Sequence, residues 1–124
     1  MSRDPQRVPD YLGHILQAID RIQRYTHQMD RAEFLQSEIA QDAVIRNFEI
    51  IGEASRNIER NHPDFVAAHP EMPLLVAYEM RNALAHGYFE VDLAIVWKTI
   101  GSDLPLLQRQ VQTLLQDRPR SGDA

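Results

Sequence analysis

Four polar side chains lie close together in the segment EMRNALAHGYFEVD, residues 79–92. They are Arg81, Asn82, His86 and Tyr88. If the segment is helical, Asn82 and His86 lie one turn apart on the same side, whereas Arg81 and His86 point about 140° apart. The dipole at the end of a helix favours the protonated form of His86. A histidine that titrates near neutral pH can donate or accept a proton, while Arg81 stays charged and can hold a phosphate.

One reaction uses these groups without a metal ion. RNA carries its own nucleophile, the 2′-hydroxyl, so cleavage needs a base, an acid and a fixed cation beside the crowded phosphorus. His86 and Arg81 could supply these parts, and Asn82 could orient the imidazole or contact the phosphate. The spacing alone leaves a second interpretation open, because Arg and His pairs of this kind are frequent and a histidine at a helix end is often a cap or a core-edge donor.

The segments that must position these residues have a helical pattern, which predicts an all-α protein. Apolar residues recur every three or four positions in DYLGHILQAIDRIQRYTHQM, with Asp10 as the predicted N-cap. Asp30 and Glu33 have the spacing of a capping box for a short second helix. Ser37 begins a long helix whose wide apolar face predicts a central place in a bundle. Its main stripe consists of Ala40, Val44, Phe48, Ile51, Ser55 and Ile58.

The second half of the chain continues this pattern. The three prolines that follow the long helix predict a loop with one helical turn. Pro73 is a suitable first residue for the helix PLLVAYEMRNALAHG, which Gly87 would end. Asp92 is the predicted cap of the last helix, which Gly101 and Pro105 are expected to kink or split. The expected organisation is an up-down bundle of four or five helices over residues 10–117, with a flexible N-terminus (1–9) and a flexible tail (118–124).

Composition excludes several kinds of protein and makes others improbable. The chain has 124 residues, 44% of them hydrophobic and 25% charged, which is typical of one globular domain. The absence of cysteine excludes disulfides and thiolate metal sites. No apolar run approaches the roughly 20 residues of a membrane span, and the N-terminus lacks the apolar core of a secretory signal, so we expect a cytoplasmic protein.

The charge pattern bears on nucleic-acid binding. The net charge is −5, whereas a protein that holds nucleic acid non-specifically usually carries a basic excess. Of the 13 cationic residues only Lys98 is a lysine, and arginine is the better residue for bidentate phosphate contacts. Any contact with nucleic acid must therefore come from a local concentration of arginine, although arginine-rich usage can also reflect genomic composition alone.

The motifs resemble those of a known family. Arg81, Asn82 and His86 match the Arg-polar…His pattern of the HEPN superfamily, and His86 with Tyr88 matches the His-x-Tyr extension of its HepT-like toxins. The similarity also covers QDAVIRNFEIIGEASRNI (residues 41–58), MRNALAHGYFEVDLAIVW (80–97) and LPLL (104–107), in the family's order. The chain departs from the family where relatives often have Pro-Trp and a glycine before the motif, since PLLVAYEM stands there instead.

This resemblance implies a fold, an activity and a partner. The implied protein is a homodimeric HEPN-like bundle and the toxin of a type II/VII-like toxin–antitoxin pair. It would act as a metal-independent endoribonuclease with Arg81, Asn82 and His86 as catalytic residues. RNA would be the substrate, and no cofactor, metal, DNA or membrane is expected. In the implied dimer the two Arg81/His86 motifs face one cleft. The implied antitoxin is an MNT-type minimal nucleotidyltransferase that transfers AMP to Tyr88, where the added bulk and phosphate charge would block this cleft.

Other residues have two interpretations each. Glu53, next to Gly52, would either face the cleft and orient Arg81 or His86, or be a solvated glutamate. Arg46 and Arg56 could line an RNA path, although surface ion pairs are the more common use of such residues. The remaining histidines are scattered without the spacing of a metal site, and Trp97 is expected in the core or at a dimer interface.

Two alternative functions remain at this stage. The bundle could be a non-catalytic module that binds nucleotide or a partner within a nucleotidyltransferase pair, with its arginines on the phosphates. It could also be a plain dimeric helical scaffold, in which Arg81 and His86 would tolerate replacement.

Overall fold

The computed structural model describes residues 7–70, which form helices joined by short connections, and residues 92–117, which form one further helix. The helices are α1 (Val8–Thr26), α2 (Arg31–Gln36), α3 (Glu38–Asn61), α4 (Pro63–Ala68) and α5 (Leu93–Asp117). No strand occurs in these two described stretches, and the predicted all-α class is confirmed. The predicted helix from Pro73 to Gly87 and the predicted tail lie outside the described residues.

The predicted caps of three helices are confirmed. In the capping box of α2, Glu33 N–H donates to Asp30 Oδ1 at 2.8 Å, and Asp30 N–H donates to Glu33 Oε1 at 2.9 Å. At the start of α3, Ala40 N–H donates to Ser37 Oγ at 3.1 Å. Asp92 Oδ1 accepts from the first turn of α5, at 3.0 Å from Ala94 N and 3.2 Å from Ile95 N. Each side chain accepts from backbone N–H groups that have no partner inside their own helix.

The predicted start of α1 is wrong. The N-cap is Arg7, not Asp10, and the helix begins at Val8 with Pro9 in its first turn. Proline is tolerated there because the first turn needs no intrahelical N–H donor. Asp10 lies inside this turn, where its Oδ2 accepts from Arg7 N–H at 3.1 Å. Its carboxylate therefore still stabilises the helix end, but from within the first turn.

In the part of the chain that the structure describes, one hydrophobic core lies between the three long helices α1, α3 and α5. α1 packs mainly against α3 and also against α5, while the short α2 contacts α3 and α5. The whole predicted stripe of α3 is buried. The buried apolar residues that α1 and α5 contribute are Tyr11, Leu12, Ile15, Ala18, Ile19, Ile22, Val96, Ile100, Leu104, Leu107 and Val111.

Specific side-chain contacts fix how the helices pair. Gln23 of α1 and Gln108 of α5 exchange two amide hydrogen bonds of 3.1 Å each. The fully buried ring of Phe34 in α2 packs on Trp97 of α5 with 5.3 Å between ring centroids, so the half-buried Trp97 lies at the edge of the core. Gln41 Nε2 donates to two carbonyls at the end of α2 and so attaches that helix to α3.

Helix α5 continues through the two residues that were expected to interrupt it. Gly101 and Pro105 both lie inside Leu93–Asp117, so the expectation of a split helix is wrong. Pro105 removes one backbone hydrogen bond, which favours a break when a helix stands alone. Here Leu104 and Leu107 are buried next to the proline, and this burial holds both halves against the core.

None of the helices in the described part of the chain is long and apolar enough to cross a membrane.

Candidate functional site

Of the five candidate site residues, the structure describes only Glu53. Arg81, Asn82, His86 and Tyr88 lie outside the described residues. Glu53 lies on α3 as an exposed side chain, off the buried stripe of that helix. It is also one of the residues that line a groove, so its surroundings can be described directly.

This open groove runs between α1 and α3 and has a volume of about 440 Å³. Ile50 and Ala54 of α3 contribute its apolar lining. Its polar lining comes from both helices and consists of Tyr11, His14, Arg46, Glu49, Glu53 and Asn57. A volume in the range of about 300–1,000 Å³, an apolar surface and a few converging polar groups are typical of small-ligand sites.

Helical spacing explains why the α3 residues meet at the groove. Glu49 and Glu53 are four residues apart, as are Glu53 and Asn57, and Arg46 is three residues before Glu49. Side chains at these spacings are neighbours on a helix surface, about 5–6 Å apart at Cβ. The result is a row with one guanidinium, two carboxylates and one amide along the exposed side of α3.

Within the described residues, the charged groups in this row form no ion pair. The only ion pair within the described residues joins Arg24 and Asp20, at 2.9 Å. Arg46 was expected to form a surface ion pair if it had no functional role, and the described part of the chain offers it none. Two carboxylates four residues apart on one helix also repel each other weakly. No side chain of the described residues therefore neutralises Arg46, Glu49 or Glu53.

The α1 side of the groove is aromatic. Tyr11 is buried, and its ring meets the ring of the exposed His14 edge-on, with 6.2 Å between centroids and an interplanar angle of 84°. A second edge contact, also at 6.2 Å, joins Tyr11 to His62 at the end of α3. These contacts hold Tyr11 in place, while His14 presents its imidazole to solvent at the mouth of the groove.

Sequence reasoning identified only part of this groove. The sequence analysis indicates Glu53 and Arg46 as candidates but not Glu49 and Asn57, for which the four-residue spacing from Glu53 is a signal. His14 has no such signal in the sequence, because the histidines outside the motif are scattered along the chain. It comes from another helix, so only the packing of α1 on α3 brings it to the groove.

The described residues contain no group of three His, Cys, Asp or Glu side chains placed to hold a metal ion. In the groove, His14 and the two glutamates do not form such a group. The chemistry available there is hydrogen bonding, ionic contact and stacking.

Comparison with known proteins identifies the class. The chain belongs to the HepT-like family, whose model, described as ribonuclease HepT-like, matches residues 15–114. This span contains the whole Arg81–Tyr88 motif and the α3 side of the groove, whereas Tyr11 and His14 precede it. The predicted membership of the HepT-like branch of HEPN proteins is confirmed.

Individual relatives agree with this assignment. The chain is 43% identical over 105 residues to a protein of Thermococcus cleftensis named probable ribonuclease HepT, covering 85% of this chain and 93% of that one. It is 34% identical over 106 residues to a Caldanaerobacter subterraneus protein that is named as a proposed RNase, and the match covers 86% of this chain and 92% of that protein. A Methanocaldococcus jannaschii protein, named as a gamma-glutamylcyclotransferase and proposed RNase, is 36% identical over 107 residues, which is 86% of this chain but 47% of that protein. No solved structure matches the chain.

Proposed function

We propose that this protein is the RNA-cleaving toxin of a toxin–antitoxin pair. The observation that carries the proposal is the family match over residues 15–114, within which Arg81, Asn82, His86 and Tyr88 stand at the spacing of the HepT-like motif. The names of the relatives, which refer to ribonuclease activity, support the same conclusion. The substrate is RNA, and the site of action is the cytoplasm.

The proposed reaction uses the nucleophile that RNA carries. A base, for which His86 is the candidate, takes the proton of a 2′-hydroxyl, and the 2′-oxygen attacks the adjacent phosphorus. The bond from phosphorus to the 5′-oxygen then breaks, and an acid returns a proton to this leaving oxygen. The products are a 2′,3′-cyclic phosphate and a 5′-hydroxyl. Arg81 stabilises the charge that builds up on the phosphorane, and Asn82 orients the imidazole or the phosphate.

We propose that two copies of the chain act together as a homodimer. The full chain carries a net charge of −5, which disfavours binding of a polyanion by the protein surface as a whole. Two copies of Arg81 and His86 facing one cleft would concentrate positive charge locally and would supply one histidine as base and another as acid.

Control by a nucleotidyltransferase of the MNT type completes the proposal. The phenol oxygen of Tyr88 would attack the α-phosphorus of ATP, pyrophosphate would leave, and the phenolic proton would pass to solvent. The AMP left on Tyr88 adds bulk and a negative phosphate close in sequence to Arg81. Both effects would weaken RNA binding at the cleft.

The central experiment measures cleavage of single-stranded RNA in EDTA. We expect the wild-type protein to cut and His86→Ala to lose about 100-fold or more of the rate, which is the usual contribution of acid–base catalysis. His27→Ala is the matched control, because His27 is exposed at the end of α1 and away from the motif in sequence. Equal rates for wild type and His86→Ala, with contaminating nucleases excluded, would refute the assignment of His86.

The proposed control by AMP transfer has a separate test. Co-expression with a neighbouring nucleotidyltransferase should raise the intact mass of the protein by whole AMP units, and Tyr88→Phe should abolish the increase. Tyr25→Phe is the control, because Tyr25 is 43% exposed and offers an accessible phenol outside the motif. An unchanged mass in the wild type, or an adduct that persists in Tyr88→Phe, would contradict this mechanism.

Glu53 is proposed to support the reaction from the groove side of α3. Its exposed carboxylate can accept hydrogen bonds, and no ion pair within the described residues occupies it. If it orients Arg81 or His86, Glu53→Gln should lower cleavage of every RNA by a similar factor. Unchanged cleavage of all RNAs would return Glu53 to the role of a solvated surface residue.

The groove also favours one alternative function, a non-catalytic module that binds nucleotide. Its volume of about 440 Å³ suits the base of a nucleotide, and the exposed Arg46 at one end of the polar row would contact a phosphate that stays outside the groove. Nucleotide binding together with no RNA cleavage under any condition of the central experiment would favour this function over a nuclease.

A further inference from the structure

We infer that the groove between α1 and α3 binds a guanine base of the RNA and thereby gives the protein a base preference. The inference rests on the proposed ribonuclease function, but the groove can be tested independently of cleavage. Its basis is the set of hydrogen-bonding groups that Arg46, Glu49, Glu53 and Asn57 present beside an apolar surface.

The shape of the groove favours a flat, partly apolar ligand. Ile50 and Ala54 provide apolar surface, and His14 provides an exposed ring at the α1 side. Proteins usually read RNA sequence from unpaired bases, whose faces stack on aromatic or histidine rings while their edges form hydrogen bonds. A base inserted between His14 and the α3 surface would meet both kinds of contact.

The two carboxylates select among the four bases. An ionised carboxylate only accepts hydrogen bonds, and its two oxygens can take two parallel donors. Guanine presents two adjacent donors on its Watson–Crick edge, the ring N1–H and the exocyclic N2–H. Adenine and cytosine present one amino donor beside a ring acceptor, and uracil presents one donor between two carbonyls. The carboxylate of Glu49 or Glu53 would therefore pair with the two donors of guanine. On the Watson–Crick edges of adenine, cytosine and uracil, the carboxylate would face an acceptor atom as well as a donor, and the acceptor would repel it.

The donors at the two ends of the row complement the rest of guanine. Arg46 precedes the carboxylates on α3 and Asn57 follows them, so donors flank the acceptors. Guanine carries acceptors at O6 and N7, and arginine is the side chain that most often contacts this pair. Guanine thus matches both the acidic and the basic part of the row.

The charge arrangement also indicates that a base, and not the phosphate backbone, enters the groove. Two carboxylates and one guanidinium give the row an excess of negative charge, which repels phosphates. Neither carboxylate forms an ion pair within the described residues, although an exposed i,i+4 neighbour of opposite charge would have been a simple way to stabilise the helix. The acceptors are thus left available for a ligand with N–H donors.

The experiment has two arms on the same variants, Glu49→Gln, Glu53→Gln and the control Asp42→Asn. Asp42 is an exposed carboxylate on the same helix that does not line the groove. The first arm measures binding of GMP, AMP, CMP and UMP by NMR chemical-shift changes. We expect GMP to bind about 10-fold more tightly than UMP, and each Glu→Gln variant, but not Asp42→Asn, to remove most of this difference. Equal binding of all four mononucleotides, or a GMP preference that survives in both Glu→Gln variants, would overturn the inference.

The second arm measures cleavage of oligouridine that contains one G, A or C. We expect cuts at a fixed distance from the G in the wild type and in Asp42→Asn, and a loss of this preference for G in Glu49→Gln and Glu53→Gln. A uniform loss of cleavage without a change of preference would mean that Glu53 positions the catalytic groups, and the base-recognition role would be wrong. If no RNA is cut by the wild type, the proposed ribonuclease function fails, and the mononucleotide arm still decides the ligand of the groove.

Discussion

Replacement of Asn47 by leucine should make the protein more stable. Asn47 lies on the buried side of α3 and is only 4% exposed. Its Nδ2 donates to the carbonyl of Ala43 at 2.8 Å, but its Oδ1 is buried and has no hydrogen-bond partner in the described structure. A buried acceptor without a partner has lost its hydrogen bonds to water and forms none in the protein, which destabilises the folded state. Asn47→Leu keeps the branch at Cγ and removes this acceptor.

The size of the effect follows from three contributions. Removing the unpaired buried acceptor should stabilise the fold by about 1–3 kcal/mol. Losing the Nδ2 bond costs about 1 kcal/mol, and Ala43 keeps its helical hydrogen bond, so its carbonyl is not left unpaired. The larger apolar side chain adds burial but also crowds the core, and these two effects approximately offset each other. The expected gain in the free energy of unfolding is about 1 kcal/mol, or roughly 3–6 °C in Tm.

The assay is urea unfolding followed by circular dichroism, at one protein concentration for all variants because the stability of a dimer depends on concentration. Asn47→Asp should act in the opposite direction and lower the unfolding free energy by more than about 2 kcal/mol, since it buries an unpaired charge. Asn57→Leu is the control on the same helix, where the side chain is half-buried at the groove, and it should change stability by less than about 0.5 kcal/mol.

Loss of stability in Asn47→Leu equal to that in Asn47→Asp would refute the argument. It would mean that Oδ1 has a partner, such as a buried water molecule, whose hydrogen bond outweighs the gain in apolar burial.

Two further predictions concern the helix termini and glycines. Ser37 Oγ accepts from Ala40 N–H at the N-cap of α3, so Ser37→Ala should lower the free energy of unfolding by about 1 kcal/mol. Ser102→Ala, on the exposed side of α5, is the control and should have little effect. Equal losses of stability in the two variants would contradict the capping role of Ser37. Gly101→Ala should raise the free energy of unfolding by about 0.5–1 kcal/mol, because the added Cβ meets no atom within 4 Å and alanine favours the helix. A measured decrease would show that α5 needs a glycine four residues before Pro105.

Helix existence and helix caps follow from short-range patterns in this chain. Ser37, Asp92 and the pair Asp30 and Glu33 each bond to a backbone group at most three residues away, so the spacing alone was sufficient to predict them. The apolar stripe of α3 was likewise predictable, because the helix repeat brings those side chains to one face whatever packs against it. The motif at Arg81–Tyr88 was predictable as a family feature, and its catalytic role stays a prediction.

Competition between local preferences was decided by packing. Asp10 had the residue type of an N-cap, but α1 begins at Val8, where Pro9 fits the first turn and Asp10 accepts from Arg7. Gly101 and Pro105 are residues that disfavour a helix interior, but α5 continues past both. The energy that decides this case comes from apolar burial along α5, which propensity rules do not contain.

The sequence by itself determined the helical class, most of the helix starts, the buried face of α3 and the family to which the chain belongs. The groove was decided only by the tertiary structure, because His14 and Glu53 are far apart in the chain and meet through the packing of α1 against α3. A helical repeat specifies which residues share a face, whereas the neighbour of that face depends on how apolar stripes of separate helices bury each other.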